Sequence, residues 1–178
     1  MTGLAKSWGP YAWYLFHILS LTWNKKNIKF YNNFFELIRD TIPCYICSTN
    51  FKKKLNYKEY NIYKNCSSKL RMIEWLINMH NMINKSNGKK IYSINDVLKL
   101  HIKNKSITVN SKNISKFIQE YIYYNIKIGK KKKAIKLLYI LAIIYPDPKK
   151  KVRVIYFIKN HRSKNILQFL NGYIRAIS

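Results

Sequence analysis

The sequence predicts an all-α protein, and three observations carry that reading. Apolar residues recur with i, i+3, i+4, i+7 spacing along most of the chain. Glycine and proline number only five and four in 178 residues, too few for the many tight turns of a β-sandwich or barrel. Hydrophobic residues make up 48% and aromatics 15%, enough for a packed core, which excludes wholesale disorder.

Taken in order, Trp8 to about Trp23 reads as a first helix, on which Trp13, Phe16, His17 and Ser20 share one face. A second, Phe30 to Arg39, turns Phe30, Phe34, Leu37 and Ile38 inward. A third begins near Pro43, a residue suited to the first helical position, and runs to about Leu55. The polar stretch Asn56–Ser68 connects to a fourth at about Lys69–Lys85, where Met72, Ile73, Leu76, Ile77, His80, Ile83 and Asn84 line one broad face. Asn87-Gly88 stops it. Ser93 with Asp96 three residues on has the capping-box pattern of a short fifth helix.

After about residue 103 the texture changes. "NKSITVNS" reads as a linker, which divides the chain into domains 1–103 and 104–178. Helices follow at about Ser111–Ile128, Lys130–Tyr145 and Arg162–Ile177. Before the last of these, Asp147 caps and Pro148 opens a helix to about Lys159. No internal repeat stands out.

The net charge of +27 suggests a polyanion partner, because lysines on phosphates release counterions. A plainer cause competes. Lysine outnumbers arginine 29 to 5, beside 27 isoleucines and 20 asparagines, and all three favoured residues have A/T-rich codons. The charge is uneven: 16 basic and 5 acidic side chains in residues 1–100, against 18 and 2 in residues 101–178. Nucleic acid is therefore expected to bind only through the basic C-terminal half, if at all. "MTGLAKSWGPYAW" has no signal-peptide pattern, and an Arg- and Ser-rich transit peptide is missing. The longest apolar run, Ala134–Tyr145, has 12 residues and is too short to span a membrane. The expectation is a soluble, unexported protein with no membrane partner.

Cys44 and Cys47, three apart on a helix, present both sulfurs on one face within bonding reach. The free N–H groups and macrodipole of that helix start favour the Cys44 thiolate, which makes Cys44 the contact for an external thiol and Cys47 the inner partner. Spacing alone leaves a redox pair, half of a zinc site and two buried apolar residues all open. Zinc needs four ligands. Cys66 and one of His17, His80, His101 or His161 would have to complete the set, giving a basic zinc-stabilised helical module that binds nucleic acid. Cys66 otherwise reads as a free thiol without function in a polar loop. His17 and His80 each lie on an apolar face. Singly, each reads as a core histidine with a hydrogen-bond partner; together, beside aromatics, they suit a flat heteroaromatic ligand held between helices.

"WGPYAWYLFH" (Trp8–His17), "IPCYIC" (Ile42–Cys47) and "HNMINKSNGKKIY" (His80–Tyr92) in this order resemble the three signatures of the Erv/ALR flavin-linked sulfhydryl oxidases, most of all those encoded by large DNA viruses. The resemblance covers about Trp8 to Val97. It implies a four-helix bundle with a short fifth helix binding FAD, usually a homodimer and with no metal, followed here by an additional C-terminal helical module. A substrate thiolate would attack Cys44 and release Cys47, which would deliver two electrons through the flavin to O2, yielding hydrogen peroxide. Carried over by position, Gly9, Trp13 and His17 would line the flavin. His80, Asn81, Ile83 and Asn84 would contact the adenine and ribose side, with Lys85, Lys89 and Tyr92 near the nucleotide. The substrates implied are protein thiols, reached directly or through a small thioredoxin-like or CxxC shuttle protein, in the host cytoplasm or virion.

The departures are also specific. Ile42 stands where the family often has an aromatic, Asn56 and Ser93 stand near the positions of a structural disulfide, and no second CxxC supplies a shuttle. Residues after 103 have no counterpart in the family core.

Overall fold

The computed structural model describes residues 3–178, with side chains from Ala5 onward. It is all-α apart from one two-residue hairpin. Helix α1 spans Gly3–Leu21, α2 Ile28–Thr41, α3 Tyr45–Leu55, α4 Ile62–Asn65, α5 Lys69–Ser86 and α6 Ile94–His101. Strands β1 (Ile102–Lys103) and β2 (Ser106–Ile107) then turn the chain through Asn104 and Lys105, both in the left-handed region at φ 49° and 61°. This hairpin occupies part of the expected linker. Helix α7 (Ser111–Phe117) continues through a π turn (Ile118–Ile122) into α8 (Tyr123–Lys127). Helices α9 (Lys131–Ile143), α10 (Pro148–Asn160) and α11 (Ile166–Ile177) follow. No described helix is long and apolar enough to cross a membrane.

Most of the expected punctuation is present. The Ser93 side chain accepts from the Asp96 N–H, and Asp96 accepts in return from the Ser93 N–H at 2.9 Å. Asp147 caps α10 by accepting from Lys149 and Lys150 N–H, with Pro148 at the first turn. Several boundaries differ. Helix α1 begins at Gly3 instead of Trp8 and carries Pro10 in its interior, which leaves the Lys6 carbonyl without its intrahelical N–H donor. Pro43 lies outside α3; Cys44, in extended conformation, is the N-cap. Helix α11 starts at Ile166 because Asn165 caps it, accepting from the Leu167 and Gln168 N–H groups.

The connection 56–68 is also more structured than its polarity suggests. Helix α4 turns Ile62 and Asn65 inward, and Cys66 is fully buried, so the expected loop thiol is a core residue. Asn65 Nδ2 satisfies the Glu59 and Asn61 carbonyls at 2.7 and 2.9 Å, which lets this polar segment close over apolar side chains.

Helix α1 packs on α5 and α7, and α2 packs on α9. One apolar cluster runs from Trp8, Leu15, Phe34 and Met72 to Phe117, Tyr121, Leu138 and Tyr173, so residues on both sides of position 103 share a core. A smaller cluster of Leu21, Ile73, Ile77 and Val97 seats α6. Burying a side chain such as Phe117 or Leu138 contributes about 1.5–3 kcal/mol, whereas an exposed ion pair such as Lys133–Asp40 contributes about 0–1. Apolar packing joins the halves; polar contacts between them set orientation.

Candidate functional site

Cys44 and Cys47 are joined as a disulfide, with Cα atoms 5.1 Å apart. The local sequence explains the turn that holds them. The Ile42 N–H closes the last turn of α2 on the Ile38 carbonyl at 3.1 Å, Pro43 cannot extend that helix, and Cys44 starts the next one. The Cys47 N–H points at Cys44 Sγ at 3.2 Å. The remaining free N–H groups of this first turn favour negative charge on the sulfurs once the bond is reduced. The expectation made Cys44 the accessible sulfur, yet within this chain Cys44 is 6% exposed and Cys47 is the less buried of the two. The turn between them is open: Tyr45 is 84% exposed and Ile46 59%.

Both cysteines line an open cavity of about 1010 Å³ bordered by α1, the end of α2, α3, α5, α6 and the segment 87–92. Helix α1 contributes Trp8, Gly9, Trp13 and His17; α3 contributes Asn50 and Lys54 beyond the cysteines. His80, Ile83 and Asn84 enter from α5, Lys89, Lys90 and Tyr92 from the segment after it, and Leu100 and His101 from α6.

Flat rings dominate one wall. Trp13 stacks on His80 with centroids 4.2 Å apart and planes 2° from parallel. His17 Nε2 lies 3.0 Å from His80 Nδ1, and the His101 ring stands 6.1 Å from that of His17. Burial, with His80 and His101 nearby, pushes the His17 pKa down to about 3. Burial and Lys89 push His80 down to about 4, and burial also lowers His101. The cluster is therefore neutral at neutral pH, an aromatic and hydrogen-bonding surface instead of a cationic one. His17 Nδ1 is buried with no partner. The lining also carries positive charge, with Lys54, Lys89 and Lys90.

The residues singled out in the sequence do not all meet the cavity. Gly9, Trp13, His17, Cys44, Cys47, His80, Ile83, Asn84, Lys89 and Tyr92 line it. Lys85 is exposed and outside the lining. Asn81 is also outside it. Its Nδ2 donates to the Tyr92 carbonyl at 2.7 Å and its Oδ1 accepts from the Tyr92 N–H at 3.0 Å, so it pins the segment that carries Lys89, Lys90 and Tyr92. Asn84 adds Nδ2 to the Lys90 carbonyl at 3.0 Å. The sequence reading missed Asn50, Lys54, Lys90 and His101 as lining residues. His101 had a signal: it follows Val97 by four residues on the inward face of α6, and Val97 is buried.

Among the described residues no three His, Cys, Asp or Glu side chains are grouped to hold a metal ion. Cys66 lies away from the cavity, beside α4, where its carbonyl accepts from Trp23 Nε1 at 3.0 Å.

The chain is similar to a viral protein described as a probable FAD-linked sulfhydryl oxidase, R368 of Acanthamoeba polyphaga mimivirus. The two are 29% identical over 92 residues, 48% of this chain and 62% of that relative. The match thus spans less than two thirds of the relative's length. No solved structure matches significantly. The Erv1 / Alr family profile, however, matches residues 10–105, from within α1 to the turn of the hairpin, and so takes in most of the residues that line the cavity. With more than half its length matched, and the cysteine pair at the start of α3 opening on that cavity, the chain belongs to the Erv1 / Alr family.

Proposed function

We propose that this protein is a flavin-linked thiol oxidase that forms disulfides in protein substrates, passing electrons from thiols through Cys44–Cys47 and FAD to O2 with release of hydrogen peroxide. One observation carries the reading: the disulfide lines the same cavity as the Trp13–His80 stack.

The residues fit the cofactor. At about 1010 Å³ the cavity lies at the upper end of ligand pockets. A Cβ on Gly9 would meet nothing within 4 Å, so the protein's own packing leaves open space in front of that backbone. The orphaned His17 Nδ1 offers a partner to a ligand heteroatom, and Lys54, Lys89 and Lys90 offer charge to a pyrophosphate. When bound, FAD supplies a two-electron acceptor that O2 reoxidises.

The chain's own steps are thiol exchange. A substrate thiolate attacks Cys44 Sγ, the Cys44–Cys47 bond breaks, and Cys47 leaves as a thiolate at the N-terminus of α3. A second substrate thiolate attacks the substrate sulfur of the mixed disulfide, releasing oxidised substrate and the Cys44 thiolate. The burial of Cys44 makes a local opening of the exposed Tyr45–Ile46 turn part of each turnover. Both sulfurs line the cavity, and Cys47, the less buried of the two, is assigned to the flavin side. Substrate thiols arrive directly or on a small CxxC-containing shuttle, in the host cytoplasm or virion, and the functional unit is a homodimer.

The test is the visible spectrum of purified protein before and after anaerobic dithiothreitol. A yellow protein that bleaches and recovers in air supports the oxidase. A colourless protein that FAD does not restore overturns it, and zinc with salt-sensitive nucleic-acid binding in that sample would point to the basic-module reading.

A further inference from the structure

The last turn of α2 is fastened by residues that lie beyond the family match. Tyr121, buried in the π turn, places its hydroxyl 2.9 Å from Thr41 Oγ1, and Thr41 donates to the Leu37 carbonyl at 2.6 Å. One proton order satisfies both contacts: Tyr121 donates to Thr41, and Thr41 donates to Leu37. Tyr121 also packs edge-on against Trp8, a residue lining the cavity, with centroids 5.3 Å apart. One residue before Thr41, Lys130 Nζ donates to the Asp40 carbonyl at 3.1 Å, and Lys133 pairs with the Asp40 carboxylate at 2.9 Å.

A helix C-terminus has carbonyls without intrahelical donors, and cations there are stabilising. Here both come from the C-terminal half. The fastened turn ends at Thr41, and only Ile42 and Pro43 separate it from Cys44. The π turn is the second observation. An extra residue in a helical turn interrupts regular hydrogen bonding, and such turns persist where they aim a side chain. This one carries the hydroxyl that meets Thr41.

We propose that the C-terminal half is a positioning element for the redox disulfide, with Tyr121 and Lys130 as its positioning residues. It fixes the frame from which Cys44 is suspended and so keeps the two reduced sulfurs at high effective concentration toward each other. The proposal deepens, and rests on, the oxidase reading above, but its direct readout is the thiol–disulfide equilibrium of the cysteine pair, which needs no flavin turnover.

The experiment uses the full chain with Tyr121→Phe and, separately, Lys130→Met, the second changing a half-buried side chain in case the first does not fold. Each is equilibrated with graded ratios of reduced to oxidised dithiothreitol, and the Cys44–Cys47 state is read by alkylation and mass. Flavin content and kcat against KM for dithiothreitol are measured alongside. The expected result is a shift of the equilibrium toward the dithiol by about three- to tenfold, the worth of one lost hydrogen bond, and a lower kcat at unchanged flavin stoichiometry. Variants that only lower Tm, with equilibrium constant and kcat at the unsubstituted values, overturn the proposal. If the unsubstituted protein binds no flavin, the oxidase reading fails, while the equilibrium shift still decides the positioning role.

Discussion

His17 Nε2 and His80 Nδ1 face each other at 3.0 Å, a distance at which only one of the two nitrogens carries the shared proton. Both pKa values are depressed by burial, to about 3 and about 4, from 6.5. As pH falls from about 6.5 to 4 the unfolded chain takes up protons that the native chain refuses. The stabilisation these rings share is therefore complete above pH 6.5 and is lost as pH falls toward their folded values. Burial raises the Asp40 pKa, but Lys133 and Arg39 together outweigh it, and hydrogen bonds from Ser93 lower that of Asp96, so carboxylates add their loss mainly at lower pH. Thermal melts should show Tm falling between pH 7 and 4.5, with a shallower slope in His17→Leu. A flat profile for the unsubstituted chain would refute the neutral pair.

Cys44→Ser and Cys47→Ser should each abolish thiol-dependent O2 uptake while keeping bound flavin, since neither sulfur closes the cavity wall made by Trp13, His17 and His80. An oxygen electrode with dithiothreitol, read beside the visible spectrum, checks both halves of the expectation. Turnover by either single variant would refute the relay.

Asn81 makes two hydrogen bonds to the backbone of Tyr92. At about 0.5–1.5 kcal/mol each, their loss in Asn81→Ala should cost about 1–3 kcal/mol of stability. It should also weaken flavin retention, because Lys89, Lys90 and Tyr92 lose their anchor. Asn81→Asp keeps the acceptor for the Tyr92 N–H but sets an oxygen against the Tyr92 carbonyl, and it should rescue neither property. Flavin fluorescence released on dilution reads the outcome.

Cys66 is fully buried, and burial pushes its thiol pKa far up. It should resist alkylation in the native protein and react only on unfolding, as followed by mass after iodoacetamide treatment. Cys66→Ala should leave turnover within about twofold and lower stability by about 1 kcal/mol, the cost of a small cavity. Rapid native labelling would place Cys66 on the surface after all.

Features written in adjacent residues were the legible ones. The Ser93–Asp96 box, the Asp147–Pro148 start, the Asn87–Gly88 stop and the cysteine pair opening a helix all depend on contacts within four residues. Cys66 was misread because Asn61 and Asn65 make its surroundings polar in sequence, while their side chains bond local backbone groups and leave Ile62 and Cys66 to face inward. The π turn left no mark in the hydrophobic period, since Ile118, Tyr121 and Ile122 fit an ordinary helix equally well. His101 meets His17 across 84 positions, and Tyr121 meets Thr41 across 80; no local pattern encodes either meeting. Cavity residues such as Gly9, Lys89 and Tyr92 were named through resemblance; Asn81, named by the same route, bonds the backbone of Tyr92 in this structure.

The packing of α1 on α7 and of α2 on α9 also sets an order of events during synthesis. At a ribosome's pace of about 5–20 residues per second, roughly 5–20 s separate the emergence of α2 from that of α9. Throughout that interval α1 can pack on α5, but the face of α2 that meets α9 has no partner from the C-terminal half. The frame of the cysteine-bearing turn is therefore complete only once α9 has been made.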